Sequence, residues 1–316
     1  MKRLFSQLRQ QRKPRVLFLV DYRGWAYDHS AKALASELAD EFEFEIKYVT
    51  DTPKPILKAN RYDLINVFFW GETYHQQYGF SSARTIKTVS SHRWEDDPRF
   101  GPCTASEMVD RFLRDSETVI CTSERLFEIM SPYHRRTFHT PNGIDTSKFR
   151  RVIKREGSIK FGWAGNIEDR VKGVDEILLP ACAGLFNLIT APGQLSHNEM
   201  NLFYNRLDVL AIASKHEGEP LTLIEAMAAG CFPVCSDVGI VTELITHEKN
   251  GLIVNERTPS SFREAFKWCE SNAEYVRKAG IENATEIRRT RNWGEMAKNF
   301  KSVFNDALAH ATSPSR

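Results

Sequence analysis

Short apolar runs alternate with stretches of helical period along almost the whole chain, and that alternation admits few architectures. Arg15 to Asp21 reads RVLFLVD and ends at a polar, glycine-containing loop, Tyr22 to Ser30. Residues 30 to 40, SAKALASELAD, then repeat apolar positions at helical spacing, so the opening is a strand, a loop and a helix. Phe42, Phe44, Ile46 and Tyr48 alternate with polar neighbours, as a strand with one buried face does. Tyr62 to Trp70 (YDLINVFFW), Thr85 to Val89 (TIKTV) and Thr118 to Thr122 (TVICT) are further β-rich runs, each followed by polar loops and helical stretches. Such a chain builds a parallel sheet covered by helices.

A second series follows the turn-rich stretch Pro141-Asn142-Gly143-Ile144-Asp145 and a basic polar segment from Lys148 to Arg155. Ile159 to Ala164, Phe186 to Thr190, Val209 to Ala213, Phe232 to Cys235 and Gly251 to Val254 again alternate with helical segments. The 316 residues match two domains at roughly 100 to 200 residues each. The reading is an α/β protein of two doubly wound, Rossmann-like domains. Residues 15–147 form the first and 148–290 the second, with a basic segment 1–14 before them and a C-terminal helix, 291–316, for which packing back on the first domain is one placement. In open α/β sheets the ligand lies beyond the carboxyl ends of the strands, which points to the cleft between the halves.

Hydrophobic residues make up 41% and charged residues 27%, which excludes disorder and fibrous repeats. The net charge is +2, but residues 1 to 15 carry Lys2, Arg3, Arg9, Arg12, Lys13 and Arg15 and no acid. That leaves 37 basic against 41 acidic residues, a net of −4, for the other 301. No nucleic-acid partner is expected of such a body, and any attraction to a polyanion belongs to the terminal segment. Leu4, Phe5 and Leu8 fall on one side of a helix there, so attachment to an anionic membrane surface stands beside a merely solubilising tail. The six cysteines lack metal or redox spacing. Residues 177 to 196 are uncharged but broken by Pro180, Gly184, Asn187, Pro192 and Gly193, which fits a buried helix, turn and strand better than a membrane span. With no signal-peptide pattern, the expected location is cytoplasmic, or peripheral on the inner face of a membrane.

The chemistry concentrates in Ser214 to Val238, SKHEGEPLTLIEAMAAGCFPVCSDV. Gly218 and Pro220 stand where a helix begins, Pro being favoured in the first turn, and Gly230 where it stops, about ten residues on. Such a helix start offers free N–H groups beside a glycine, a cradle for phosphate. Glu217 lies in the loop before the helix and Glu225 in its second turn, so both can reach one ligand. Two acidic residues alone would be an ordinary capping and surface pair.

The surrounding residues change that balance. The segment resembles the signature of retaining glycosyltransferase family 4, which has the GT-B fold: Glu, seven residues, Glu, within S-x-x-E-G-x-P-L-x-x-x-E-A-M-A-x-G-x-P-V. Ser214 to Val234 matches nearly all of it, with one extra residue between Gly230 and Pro233. The stretch Asp237 to Val254 and the PNGID at 141 to 145 are similar to the family too; over 15 to 140 the likeness is mainly in strand order. The resemblance implies that Glu225 binds the ribose of a nucleoside-diphosphate sugar and that Glu217 lies beside the sugar. It also implies that Gly218, Glu219, Pro220 and Leu221 present backbone donors to sugar and diphosphate. Glu219 replaces a more usual apolar or small residue, so it either adjusts donor choice or faces solvent. Lys172 with Gly173 looks like the family's phosphate-binding K-G pair; Asn166 stands where Arg is usual, and Arg170 is either a second phosphate contact or a solvated charge. His92 follows the strand TIKTVSS, where the family places a His that reaches the donor sugar. Gly24 corresponds to the glycine of the first loop, with Trp25 or Tyr27 beside it for sugar stacking or for packing.

The implied activity is transfer of a sugar, with retention, from a nucleotide-sugar donor to a hydroxyl of a saccharide or lipid-linked acceptor. Asp96-Asp97 is adjacent rather than spaced as Asp-x-Asp, so no metal and no cofactor beyond the donor are expected. Two alternatives keep the fold: a nucleotide-sugar epimerase or glycan phosphorylase, and a non-catalytic sugar-nucleotide-binding protein.

Overall fold

The structure, a computed structural model, describes residues 12–191 and 195–312. The apolar stripe of Leu4, Phe5 and Leu8 and the breakers Pro192 and Gly193 lie outside the described residues. The first half is a six-stranded sheet of β1 (Arg15–Val20), β2 (Glu43–Tyr48), β3 (Leu64–Val67), β4 (Thr85–Val89), β5 (Thr118–Cys121) and β6 (Thr137–His139). Its order is β2-β1-β3-β4-β5-β6, every pair parallel. The second half pairs β7 (Phe161–Ala164), β8 (Leu188–Ala191), β9 (Val209–Ile212), β10 (Phe232–Ser236) and β11 (Leu252–Val254) in the order β11-β10-β9-β7-β8, again all parallel. The first half carries helices α1 (Ala26–Glu37), α2 (Ala105–Met108) and α3 (Glu124–Met130). The rest are α4 (Leu179–Cys182), α5 (His197–Asn205), α6 (Leu221–Ala228), α7 (Val241–Leu244), α8 (Pro259–Ser271), α9 (Ala273–Thr290) and α10 (Trp293–Thr312).

Each central strand divides its side chains between two layers, as the period of two requires. Val16, Phe18 and Val20 of β1 face Leu34 of α1 and Phe300 and Phe304 of α10. Leu17 and Leu19 face the opposite way, onto Leu57, Tyr62 and Ile65. In the second half Leu210 and Ile212 meet Leu223, Ile224 and Met227 of α6, whereas Val209 and Ala211 meet Phe262 and Phe266 of α8. This two-sided cover explains why these strands read as continuous apolar runs.

The chain crosses between the halves twice, and the crossings pack on each other. Ile144 N donates to Arg291 O at 2.7 Å, and Ile144 bridges Asn292. A Cβ on Gly143 would lie 2.7 Å from Cα of Trp293, so only glycine lets the crossings meet. After the second crossing α10 returns to the first sheet, where the ring of Phe304 packs against those of Phe18, Phe42 and Phe44 at 5.7 to 6.3 Å between centres. Arg155, read from the sequence as the end of a basic polar segment, is buried. It donates to the carbonyls of Tyr204, Asn205, Ala229 and Gly230, which close the ends of α5 and α6.

Candidate active site

In the second sheet the strand order turns at the β7/β9 boundary, the place where open α/β sheets bind ligands. The loops leaving those two strands carry the sequence candidates. Lys215 N donates to Val171 O at 2.8 Å, tying the loops together. Gly173 has φ +68° and a Cβ there would fall 2.5 Å from Ala213 O, so this turn demands glycine on both counts. The turn aims Lys172 at the neighbouring loop, where its Nζ lies 2.5 Å from Oε1 of Glu217; Ser214 Oγ donates to the same oxygen at 2.7 Å. Lys172 and Glu217 are mostly buried, so little water screens the pair. Asn166 is exposed, and its Oδ1 accepts from Glu168 N at 3.1 Å, closing a turn. Arg170 is exposed, with no side-chain partner among the described residues.

Helix α6 has eight residues rather than about ten, and Pro220 is its N-cap rather than a first-turn residue. It ends as the glycine implied: Gly230 has φ +87°, Gly230 N donates to Met227 O and Cys231 N to Ala226 O, the paired bonds of a Schellman motif. Leu221 opens the helix half-buried. Glu225 accepts from the Tyr204 hydroxyl at 2.7 Å; burial pushes its carboxyl up to about 7, against the lowering effect of that bond.

Glu219 corrects the sequence reading. It does not face solvent: it is 9% exposed and accepts from Asn142 N at 2.8 Å and Asn142 Nδ2 at 2.6 Å. It locks the helix-leading loop to the first crossing, and burial raises its carboxyl to about 8. Gly218 likewise packs between domains. Its own oxygen accepts from Ile240 N at 2.9 Å, and a Cβ would meet Ser90 O at 1.9 Å.

The first domain supplies the opposite wall. His92 follows β4, buried, with its ring 4.6 Å from that of His216 and nearly perpendicular to it. Burial, and next the neighbouring His216 and Arg125, holds His92 down at about 4, neutral near pH 7. Gly24 has φ +77° and donates its N–H to Asp28 at 2.7 Å. The two aromatic candidates beside it separate: Tyr27 packs on Phe68 with its hydroxyl bonded to Ser90 Oγ, while Trp25 is 59% exposed against Tyr22.

Sequence reasoning missed the residues that join the walls. Arg93 pairs with Asp169, Arg125 with Asp237, and Asp96 accepts from Lys215 at 2.6 Å and His216 at 3.0 Å. The only signal for His216 and Lys215 was their place inside the most informative segment. Asp96 drew attention only as half of a metal motif. Among the described residues, His92, Glu95 and His216 form a group able to hold a metal ion.

Two parallel-sheet domains that face each other over the loops at their strand ends define the GT-B fold. The same fold is present in sucrose-phosphate synthase from Thermosynechococcus elongatus, 16% identical, with a TM-score of 0.73 over 93% of this chain and 99% of that one. HepE from Anabaena, in complex with UDP-glucose, is similar at a TM-score of 0.68 and 12% identity, covering 93% of this chain and 100% of that one. Residues 155–286 match the family model of glycosyl transferases group 1. D-inositol 3-phosphate glycosyltransferase of Corynebacterium glutamicum (strain R) is 28% identical over 113 residues, which is 36% of this chain; the match spans 27% of that relative's length.

Proposed function

We propose that the chain is a retaining glycosyltransferase of family 4 that moves a sugar from a nucleoside-diphosphate sugar to a hydroxyl of a saccharide or lipid-linked acceptor, without a catalytic metal. The observation that carries this reading is the Lys172–Glu217 pair at the β7/β9 turning point, with Glu225 one helix turn further on. Lys172 supplies positive charge to the departing diphosphate, and the N–H groups at the start of α6 add to it. Glu217 holds that lysine in place and meets the sugar, Glu225 accepts from the ribose hydroxyls, and neutral His92 reaches the sugar from the other wall. The acceptor oxygen bonds to the anomeric carbon on the face the diphosphate leaves, the bond from that carbon to the phosphate oxygen breaks, and the acceptor proton passes to the leaving phosphate. The complex of a protein of this fold with UDP-glucose supports a nucleotide-sugar donor. Asn166 and Arg170 flank the diphosphate, and closure of the domains limits hydrolysis.

Incubation with a panel of nucleotide sugars and no acceptor tests the reading. Slow nucleotide release is expected; an isomerised sugar would indicate an epimerase. Absence of any donor-induced thermal shift would overturn both readings. No helix among the described residues is long and apolar enough to cross a membrane. For the basic segment we propose contact with an anionic membrane surface.

A further inference from the structure

The loops after β4 and β9 bring two imidazoles and a carboxylate to one point on the seam between the domains, and sugar transfer as proposed uses only one of the three. One ring nitrogen of His92, one of His216 and one carboxylate oxygen of Glu95 all lie within 4.8 Å of one another. His92 is 8% exposed and His216 6%. Nε2 of His216 lies 3.0 Å from a carboxylate oxygen of Asp96, which can only accept, so Nε2 carries the proton of the neutral ring and the lone pair of that tautomer is on Nδ1. That Nδ1 is buried without a hydrogen-bond partner, and so is Nδ1 of His92. Two buried nitrogens left unpaired on rings whose centres are 4.6 Å apart run against the rule that such groups are satisfied. A carboxylate that takes one ring N–H while the other nitrogen is left bare is the arrangement that orients a metal-binding histidine.

We propose that His92, Glu95 and His216 form a site for a zinc-class divalent cation that bridges the two domains. Two imidazoles and one carboxylate, with a further position open, make a ligand set that Zn2+ accepts, whereas Mg2+ and Ca2+ require six or more oxygens. Asp96 is not a fourth ligand; it is already shared between His216 and Lys215 and serves to orient the imidazole. His92 and Glu95 belong to the first domain and His216 to the second, so an ion here fastens the seam that the Arg93–Asp169 and Arg125–Asp237 pairs also close. Because the ion and a donor sugar would compete for His92, occupancy slows turnover. That last consequence rests on the transferase reading; the site itself does not.

The test uses the full chain freed of metal with a chelator, then titrated with Zn2+ alone, with no nucleotide sugar present. Calorimetry is expected to show one zinc per chain with an affinity of about micromolar or tighter, not displaced by millimolar Mg2+. Glu95→Gln, a change at an exposed position, should weaken binding by at least ~10-fold, His216→Ala should abolish it, and Asp96→Asn should weaken it ~10- to 100-fold through loss of orientation. Zn2+ should raise the melting temperature of the wild type by more than that of Glu95→Gln, and equal melting of the two in chelator shows that the variant folds. The proposal is overturned if no zinc binds at about 100 µM, or if Glu95→Gln and His216→Ala bind as the wild type does, since the ion then sits elsewhere.

Discussion

Replacing Gly218 with alanine tests whether the seam between the domains depends on one missing methyl group. A Cβ at this position would lie 1.9 Å from Ser90 O, 2.3 Å from Ser90 C and 2.8 Å from Leu126 Cδ1, where real Cβ atoms stay beyond 3.0 Å. Raising 1.9 Å to 3.0 Å takes a displacement of about 1.1 Å, and the nearest obstacle is backbone rather than a side chain that can swing away. The loop has no room behind it, because Ile240 N holds Gly218 O at 2.9 Å and Gly239 packs on the same carbonyl. The domains themselves must part. An opening of that size stretches the Asp96–His216 bond of 3.0 Å and the Asn142–Glu219 bond of 2.8 Å past the useful range of a hydrogen bond. The expected cost is about 1–3 kcal/mol of stability, as for other overpacked sites, which lowers the melting temperature by roughly 2–10 °C. Donor turnover should fall about 100-fold, since reacting groups on opposite walls lose register by about an ångström. Scanning calorimetry and the nucleotide-release assay read the two effects. Gly24→Ala is the control: its φ of +77° strains the backbone, but nothing lies within 4 Å of the new methyl, so it leaves the seam intact. Unchanged melting and unchanged turnover in Gly218→Ala would refute the packing argument.

Glu225→Ala should weaken donor binding by roughly 10- to 100-fold, the worth of one or two hydrogen bonds to a charged group; equal affinity in calorimetry removes the ribose assignment. Glu219 sits at about 8 against an ordinary 4.5, so in that interval the folded chain keeps a proton that the unfolded chain releases. Its contribution to stability is full below 4.5 and lost as pH rises to about 8, and Glu219→Gln should flatten that slope in urea midpoints taken from pH 5 to 9. Parallel curves for the two proteins would contradict it. Arg155→Ala strips four carbonyls of their donor and should cost about 3 kcal/mol in urea unfolding; a loss below about 1 kcal/mol would mean water replaces the guanidinium. Flotation with anionic vesicles should be stronger for the full chain than for one starting at residue 15, and equal flotation sinks the membrane proposal.

What could be read from residues alone was whatever depends on local pattern. Strands β1, β3, β4, β5, β7, β9 and β10 stand out because their residues are covered on both faces and so are mostly apolar or β-branched in succession. Strand β6 was missed because Thr137, Phe138 and His139 are all half-buried at the sheet edge and leave no alternation to see. A glycine position was legible where the demand is a helix stop, as at Gly230, whose φ is +87°. At Gly218, which is not in the left-handed region, the demand is the nearness of Ser90, more than a hundred residues away, and no local pattern encodes it. The same holds for charged residues. The sequence alone settled the alternation and the two-fold repetition of the sheet, since each follows from side-chain periodicity and turn chemistry within a few neighbours. Only the tertiary structure decided that Glu219 locks Asn142, that Arg155 caps two helices from within and that His216 meets His92. Those pairings exist because two domains close on each other, and a charge or lone pair has a different meaning once its water has been removed.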